Sequence, residues 1–360
     1  MQLNVLVLPG DGIGTEVTRE AVKVLRRVGA KFGHTLQLTE GLLGGVAIHK
    51  TGQPLPEETE RLAQDADATL LGAVGLPEFD NAPPAQRPER GLLGIRKVLG
   101  VYANLRPVRT YAALIDSSPL KNERVAGADM IIVRELTGGI YYGTPRGIEG
   151  SGDSERAFNT MTYTRAEIAR IGRMAFHLAG NRRKKVSSVD KSNVLECSQL
   201  WRRVMVELSA DYPGIELEHV LVDNCAMQLV LNPARFDVIV TENMFGDILS
   251  DEGAVLAGSI GMLPSASLGA KRPSGAFTGL YEPVHGSAPD IAGQNKANPL
   301  GAIGSVAAML EYSFGLLEEA AAVNRAIEQI LNSGRVTADL KPKGAPSSTS
   351  QVGDAICEAL

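Results

Sequence analysis

Two aspartates four residues apart, Asp247 and Asp251, sit in the run Thr241-Glu242-Asn243-Met244-Phe245-Gly246-Asp247-Ile248-Leu249-Ser250-Asp251, directly after apolar Val238 to Val240. On a helix that spacing puts both carboxylates on one face, about 5–6 Å apart at Cβ, and their repulsion favours a shared cation. A hard divalent ion, Mg²⁺ or Mn²⁺, completed by water and substrate oxygens suits such donors. Asp223, at the end of Leu217 to Val222, is a candidate third ligand. A solvated acidic helix face gives the same pattern.

Arg96, Arg106 and Arg134 each stand beside apolar or strand-like sequence instead of in a charged run. A guanidinium presents a planar fork of donors to a carboxylate, so three that converge can hold a substrate with two carboxylates, whereas any one alone can equally lie on the surface. Tyr141 and Lys191 offer a phenol and an amine that exchange protons near neutral pH when burial lowers the pKa of the amine or a metal that of the phenol. Separately, a packing tyrosine and a solvated lysine read the same way. Gly10-Asp11-Gly12-Ile13-Gly14 lies between strand and helix signals, but its third glycine comes one position early for the dinucleotide-binding fingerprint, so it reads as a tight turn. Cys225, between Asp223 and Met227, reads as a small buried hydrophobe and not a nucleophile.

These groups need positioning elements. Apolar Leu3 to Leu8 predicts a strand, the glycine turn follows, and Val17, Ala21, Val24, Leu25 and Val28 recur at helical spacing. A helix over Pro56 to Gln64 and a buried strand over Ala68 to Val74 continue the alternation, which predicts an α/β sheet covered by helices. Strands are predicted at Met130 to Val133, Val186 to Val189, Leu217 to Val222 and Val238 to Val240, with a helix over Arg165 to Ala179. Ile140 to Thr162, rich in Gly, Thr and Tyr, predicts an extended excursion or hairpin able to meet a second subunit. Lys341 to Ser350 is a Pro, Ser, Thr and Lys-rich tail, and no repeat of solenoid length occurs.

Length and composition limit the partners. A chain of 360 residues with 44% hydrophobic content suits about two domains. Its 36 basic and 41 acidic residues are scattered, which gives nucleic acid and acidic membranes no basic block to engage. The start lacks the pattern of a signal peptide, and apolar Gly253 to Leu268 is broken by Ser, Gly and Pro and too short to span a bilayer. Three cysteines without CxxC spacing argue against a disulfide framework or zinc site and suit a reducing cytoplasm.

In chain order and over nearly the whole length, five stretches resemble the isocitrate/isopropylmalate dehydrogenase family of β-decarboxylating dehydrogenases, which also contains enzymes of tartrate and D-malate. They are Leu8-Pro9-Gly10-Asp11-Gly12-Ile13-Gly14, Ala103-Asn104-Leu105-Arg106-Pro107, Arg134-Glu135-Leu136-Thr137-Gly138-Gly139-Ile140-Tyr141, Asn243-Met244-Phe245-Gly246-Asp247-Ile248-Leu249-Ser250-Asp251 and Glu282-Pro283-Val284-His285-Gly286-Ser287-Ala288-Pro289-Asp290. The resemblance implies a two-domain, non-Rossmann α/β fold with its active site in the cleft between domains. Residues 1–101 and 256–360 would form a large domain carrying most of the NAD site. Residues 102–255 would carry the dimer interface, an arm at about 140–162 and the metal ligands.

On this resemblance Arg96, Arg106 and Arg134 grip the malate carboxylates, while Asp223, Asp247 and Asp251 hold Mg²⁺ or Mn²⁺ against the hydroxyl and one carboxylate. In a homodimer, Lys191 and Asp223 of one copy would complete the site that the arginines of the other begin. Lys191, through water, would accept the hydroxyl proton as hydride leaves for the nicotinamide, and Tyr141 would protonate the product after CO₂ departs. His285, Gly286, Ser287, Ala288, Pro289, Asp290 and Asn298 would bind adenosine, with Asp290 accepting the ribose 2′-OH and so favouring NAD over NADP. Glu89 would lie near the nicotinamide and Glu282 would open the adenosine loop. Apolar Leu92, Leu93 and Val194 would surround the C3 substituent, which implies 3-isopropylmalate as substrate and leucine biosynthesis as setting. D-malate or tartrate oxidation is the alternative within the class, and a catalytically silent regulatory subunit the alternative outside it. Glu242 and Leu76 depart from the small residue or Asp, and the glycine, that the family pattern leads one to expect there.

Overall fold

The computed structural model describes residues 1–360, the side chain of Ala85 excepted. The chain forms two compact units, Met1–Val101 with Tyr111–Pro119 and Ala257–Leu360, and Tyr102–Thr110 with Leu120–Leu256. Tyr111–Pro119 groups with the first unit, although it falls inside the 102–255 stretch that the sequence suggests for the second.

The first unit opens with β1 (Gln2–Gly10), α1 (Gly14–Phe32), β2 (Thr35–Glu40), α2 (Gly45–Thr51), α3 (Glu57–Asp65), β3 (Ala68–Ala73) and α4 (Glu89–Val98). The helical spacing read from Val17 to Val28 is the core face of α1, all five positions being buried. That helix stops where Gly33 takes the left-handed conformation, a geometry glycine adopts without a Cβ penalty.

The second unit contains β4 (Ala103–Arg109), α5 (Asn122–Val125), β5 (Asp129–Glu135), β6 (Gly147–Glu149), β7 (Arg156–Phe158), α6 (Arg165–Gly180), β8 (Lys185–Asp190), α7 (Glu196–Ser209), β9 (Glu216–Leu221), α8 (Val222–Leu231), β10 (Val238–Thr241) and α9 (Asn243–Leu256). Its strands run in the order β4-β5-β10-β8-β9. All neighbours are parallel except β4, which lies antiparallel to β5. The predicted excursion contains a short antiparallel hairpin, with Ile148 opposite Ala157. One boundary differs: Val222 begins α8 instead of ending β9, so Asp223 sits in the first turn of a helix. There its carboxylate is favoured by the exposed N–H groups of the helix start.

The chain then completes the first unit with β11 (Pro264–Lys271), β12 (Phe277–Pro283), α10 (Leu300–Phe314), α11 (Leu317–Ser333) and α12 (Thr349–Ala359). Strand order there is β2-β1-β3-β12-β11, with only β11 antiparallel to its neighbour. Apolar on nearly every face, α10 buries Leu300, Ile303, Val306, Met309 and Leu310. No helix among the described residues is long and apolar enough to cross a membrane.

Each unit thus brings loops together at the carboxyl ends of its parallel strands, where α/β sheets place ligands. In the second unit these ends lead to Arg134, Lys191, Asp223 and Asn243–Leu256. In the first they lead to Gly10–Gly12, Gly75 and the segment that begins at Glu282.

Candidate functional site

In the second unit, β4 and β5 run side by side with Asn104 opposite Arg134, and β10 pairs Thr241 with Arg134 on the other side. The helix that follows β10, α9, therefore starts beside the Arg134 stem. Gly246 permits the approach, because a Cβ there would lie 2.7 Å from Cβ of Arg134. Arg134 donates from Nε to Asn243 Oδ1 at 3.0 Å and from a terminal nitrogen to Asp247 Oδ1. Arg106 donates to Ser250 Oγ at 2.7 Å and to Asp251 Oδ1 at 2.9 Å, and Asn104 accepts from its Nε at 3.0 Å.

Tyr141 completes the cluster, donating from its hydroxyl to Asp247 Oδ2 at 3.1 Å, with the Arg134 guanidinium 5.9 Å from its ring centroid. Burial, and then the Asp247 carboxylate, push the phenol above its ordinary pKa, against the opposing pull of Arg134. It is therefore a proton donor at neutral pH. The loop leading to it is fixed from below: the fully buried Glu135 carboxylate accepts from Thr137 N at 2.9 Å and Gly138 N at 2.7 Å. From the other side Asn243 Nδ2 donates to the Gly138 carbonyl at 3.1 Å.

Glu242, which departs from the family pattern, is buried just ahead of α9. Its carboxylate accepts from Met244 N and Phe245 N at 3.1 and 2.7 Å, and Tyr163 donates to it at 3.3 Å. It satisfies N–H groups that the helix itself leaves unpaired. Burial outweighs these bonds and raises its pKa.

Lys191 and Asp223 meet each other apart from this cluster, Nζ donating to Asp223 Oδ1 at 2.9 Å. The ammonium holds the Asp223 carboxyl below its ordinary pKa. Val194 lies exposed one turn beyond Lys191, its N–H donating to the Lys191 carbonyl. The three predicted metal ligands are thus not gathered in one chain. Among the described residues no group of three or more His, Cys, Asp or Glu side chains is placed to hold a metal ion. Asp247 and Asp251 by themselves fit part of such a site, being hard oxygen donors one helical turn apart on a solvent-reached face.

In the first unit, Arg96 on α4 donates to Glu282 Oε1 at 2.7 Å and leaves its buried Nε without a partner. Two residues read separately, one for substrate and one for cofactor, are therefore an ion pair. Exposed Glu89 opens α4, Leu92 packs partly against the core of β1 and β3, and Leu93 is exposed. His285 is buried, with Nδ1 2.9 Å from the Gly286 carbonyl and Nε2 unpaired. Burial depresses its pKa and keeps the ring neutral. Gly286 has open space around it, the Ser287 carbonyl accepts from Ile13 N at 2.8 Å, Ala288 takes a positive φ, and Pro289 and Asp290 are exposed. This open loop with an orphaned buried nitrogen fits a polar cofactor. Asn298 differs: its side chain caps α10 through Leu300 N at 3.0 Å and donates to Asp339 at 3.0 Å, so both its polar atoms are in use.

Sequence reasoning passed over Asn104, Asn243 and Ser250, which aim the two arginines. The signal for the last two was their place inside the acidic run, since residues 243, 247, 250 and 251 fall on neighbouring turns of one helix face.

Residues 4–356 match the model of the isocitrate/isopropylmalate dehydrogenase family. Among curated proteins, a 3-isopropylmalate dehydrogenase of Priestia megaterium is 57% identical over 360 residues, covering 100% of this chain and 96% of its own. Another, of Geobacillus kaustophilus, is 60% identical over 340 residues, covering 94% and 90%. Among solved structures, an isocitrate dehydrogenase from Methylococcus capsulatus superposes with a TM-score of 0.85 at 34% identity, covering 99% of both chains.

Proposed function

Since the chain belongs to the isocitrate/isopropylmalate dehydrogenase family, we propose that it oxidises and decarboxylates (2R,3S)-3-isopropylmalate to 4-methyl-2-oxopentanoate and CO₂, with NAD and Mg²⁺ or Mn²⁺, in leucine biosynthesis in the cytoplasm. One observation carries this reading: a phenol hydrogen-bonded to Asp247, beside two guanidiniums and an aspartate pair on α9. Arg106 and Arg134 hold and orient the malate carboxylates, which take over donors now engaged with Asp247 and Asp251. Lys191, kept in place by Asp223, would accept the C2 hydroxyl proton through water as the neutral amine, having first released its own proton to solvent. The segment from His285 to Asp290 would hold NAD, which would supply the hydride acceptor for C2, and Asp223, Asp247 and Asp251 would hold the divalent ion, which would supply Lewis acidity. Loss of CO₂ leaves an electron pair at C3, and the Tyr141 hydroxyl supplies the proton that quenches it.

NAD is assigned to the segment from His285 to Asp290, with Glu89 and Glu282 at its margin, because Asp290 accepts a ribose hydroxyl and repels a 2′-phosphate. The apolar Leu93 and Val194 side chains favour an isopropyl substituent over a third carboxylate. We read the active form as a homodimer. Met227, Val230 and Leu231 on α8 and Ile248 and Val255 on α9 are exposed, and a second copy of the same apolar face would cover them. Asp223 opens α8, so this pairing would carry it toward the other copy's α9.

The test is NADH formation by the purified protein with Mg²⁺, comparing 3-isopropylmalate, D-malate, tartrate and isocitrate with NAD and with NADP. A strong preference for 3-isopropylmalate with NAD is expected. Lys191→Ala should abolish turnover and leave NAD binding intact. Preference for D-malate or tartrate would overturn the roles of Leu93 and Val194, and near-normal turnover of the lysine variant would overturn the proton-transfer assignment.

A further inference from the structure

The turn Gly10-Asp11-Gly12 has no part in the chemistry above, yet its aspartate is built into the protein with unusual completeness. Asp11 is 3% exposed, and its carboxylate accepts three backbone N–H groups: Gly45 at 2.8 Å, Val46 at 2.8 Å and Gly75 at 2.9 Å. Closing the turn requires none of them, because Asp11 N already donates to the Ala73 carbonyl at 2.8 Å. The side chain instead ties the start of α2 and the exit of β3 to the end of β1.

Both flanks of Asp11 reach the cofactor segment. Ile13 N donates to the Ser287 carbonyl at 2.8 Å, and a Cβ on Gly12 would stand 2.1 Å from that same oxygen. Gly75, held at φ 127° by its bond to Asp11, lies between the two groups assigned to NAD: a Cβ there would be 3.4 Å from Glu89 Oε1 and 3.6 Å from Ser287 Oγ. Gly45 is similarly fixed, with a Cβ position 2.5 Å from Leu76. One buried carboxylate therefore sets the spacing of the Gly75–Leu76 exit, α2 and Ser287. The requirement is for an acidic residue. Two carboxylate oxygens accept all three N–H groups, whereas an amide offers one oxygen and turns its own N–H₂ toward a donor.

We propose that Asp11 is a positioning residue for the cofactor site, holding the Gly75 exit and the Ser287 segment at the separation NAD requires, without itself touching NAD. The inference rests on the assignment of NAD to residues 285–290. It is tested by measuring NAD affinity calorimetrically, which needs no turnover, beside steady-state kinetics with 3-isopropylmalate. Asp11→Asn should weaken NAD binding at least tenfold, while KM for 3-isopropylmalate at saturating NAD changes less than twofold. Gly12→Ala, which displaces Ser287 and leaves the carboxylate intact, should give the same split and serves if the first variant does not fold. Unchanged NAD affinity in folded variants, or a parallel loss of NAD and substrate affinity, would overturn the proposal. Wild-type protein that binds NAD but does not turn over 3-isopropylmalate would overturn the proposed substrate alone, since the calorimetry still reads Asp11.

Discussion

Replacing Gly246 by alanine should separate catalysis from stability. An added Cβ would lie 2.7 Å from Cβ, 2.8 Å from Cγ and 3.2 Å from Cα of Arg134, against 3.4–4 Å for ordinary van der Waals contact. These atoms are the stem of a side chain rooted in a strand paired on both sides, so Arg134 cannot swing aside. The start of α9 must instead retreat by about 1 Å, taking Asn243 and Asp247 away from the guanidinium they orient. A misplacement of that size costs about 10²-fold in rate, or about 2.7 kcal/mol of transition-state stabilisation. Overpacking costs about 1–3 kcal/mol of stability. The better helix propensity of alanine returns about 1 kcal/mol of it.

Activity should therefore fall much further than the thermal midpoint. The assay is kcat/KM for 3-isopropylmalate at saturating NAD, measured beside NAD affinity and thermal unfolding. NAD affinity should be unchanged, since its assigned residues belong to the other unit. A variant that retains kcat/KM within threefold would refute the claim that the Gly246 contact sets Arg134. So would one that loses NAD binding in parallel.

Three shorter tests address other parts of the molecule. The double variant Met227→Glu, Ile248→Glu places charge on the exposed face of α8 and α9, and light scattering should report a monomer with under about 1% of wild-type turnover; an active monomer would refute the shared site. Cys225 is fully buried, and burial pushes its thiol up to about 12, so a disulfide reagent at pH 8 should reach Cys197 and Cys357 first and Cys225 only on unfolding. Three equally fast thiols would contradict that. Because burial lowers the pKa of His285, the unfolded chain takes up a proton below pH about 6.5 that the folded ring refuses, and stability falls as pH drops toward the folded-state value. His285→Gln should therefore lose less stability than wild type between pH 7 and 5, and identical losses would assign the acid sensitivity elsewhere.

Period and spacing made much of the frame legible. Helical spacing from Val17 to Val28 and the apolar strand runs follow directly from which faces must be buried, and the excursion before Thr162 followed from its lack of a helical period. Side-chain pairing was less accessible, because it depends on which strands become neighbours. Arg96 and Glu282 are far apart in sequence and read as members of two different sites, yet they share one hydrogen bond. Asn298 is a cofactor group only by the resemblance, and no spacing shows that its amide also caps α10 and donates to Asp339. Val222 and Asp223 read as a strand end because β9 and α8 join without a breaker such as Gly or Pro.

The aspartates of α9 show where spacing stops being sufficient. The spacing of four from Asp247 to Asp251 states a charge problem that any helix would share, and it does not say which countercharge answers it. In this chain the answer comes from neighbouring strands: Arg134 on β5 donates to Asp247, and Arg106 on β4 donates to Asp251. The carboxylates are neutralised by the same guanidiniums assigned to substrate, so on the proposed function the substrate carboxylates would take over donors that the aspartates now hold. Asn243, Ser250 and Asn104 then have a defined role. They hold the two arginines by bonds that the exchange leaves untouched, so the forks keep their aim when the aspartates let go.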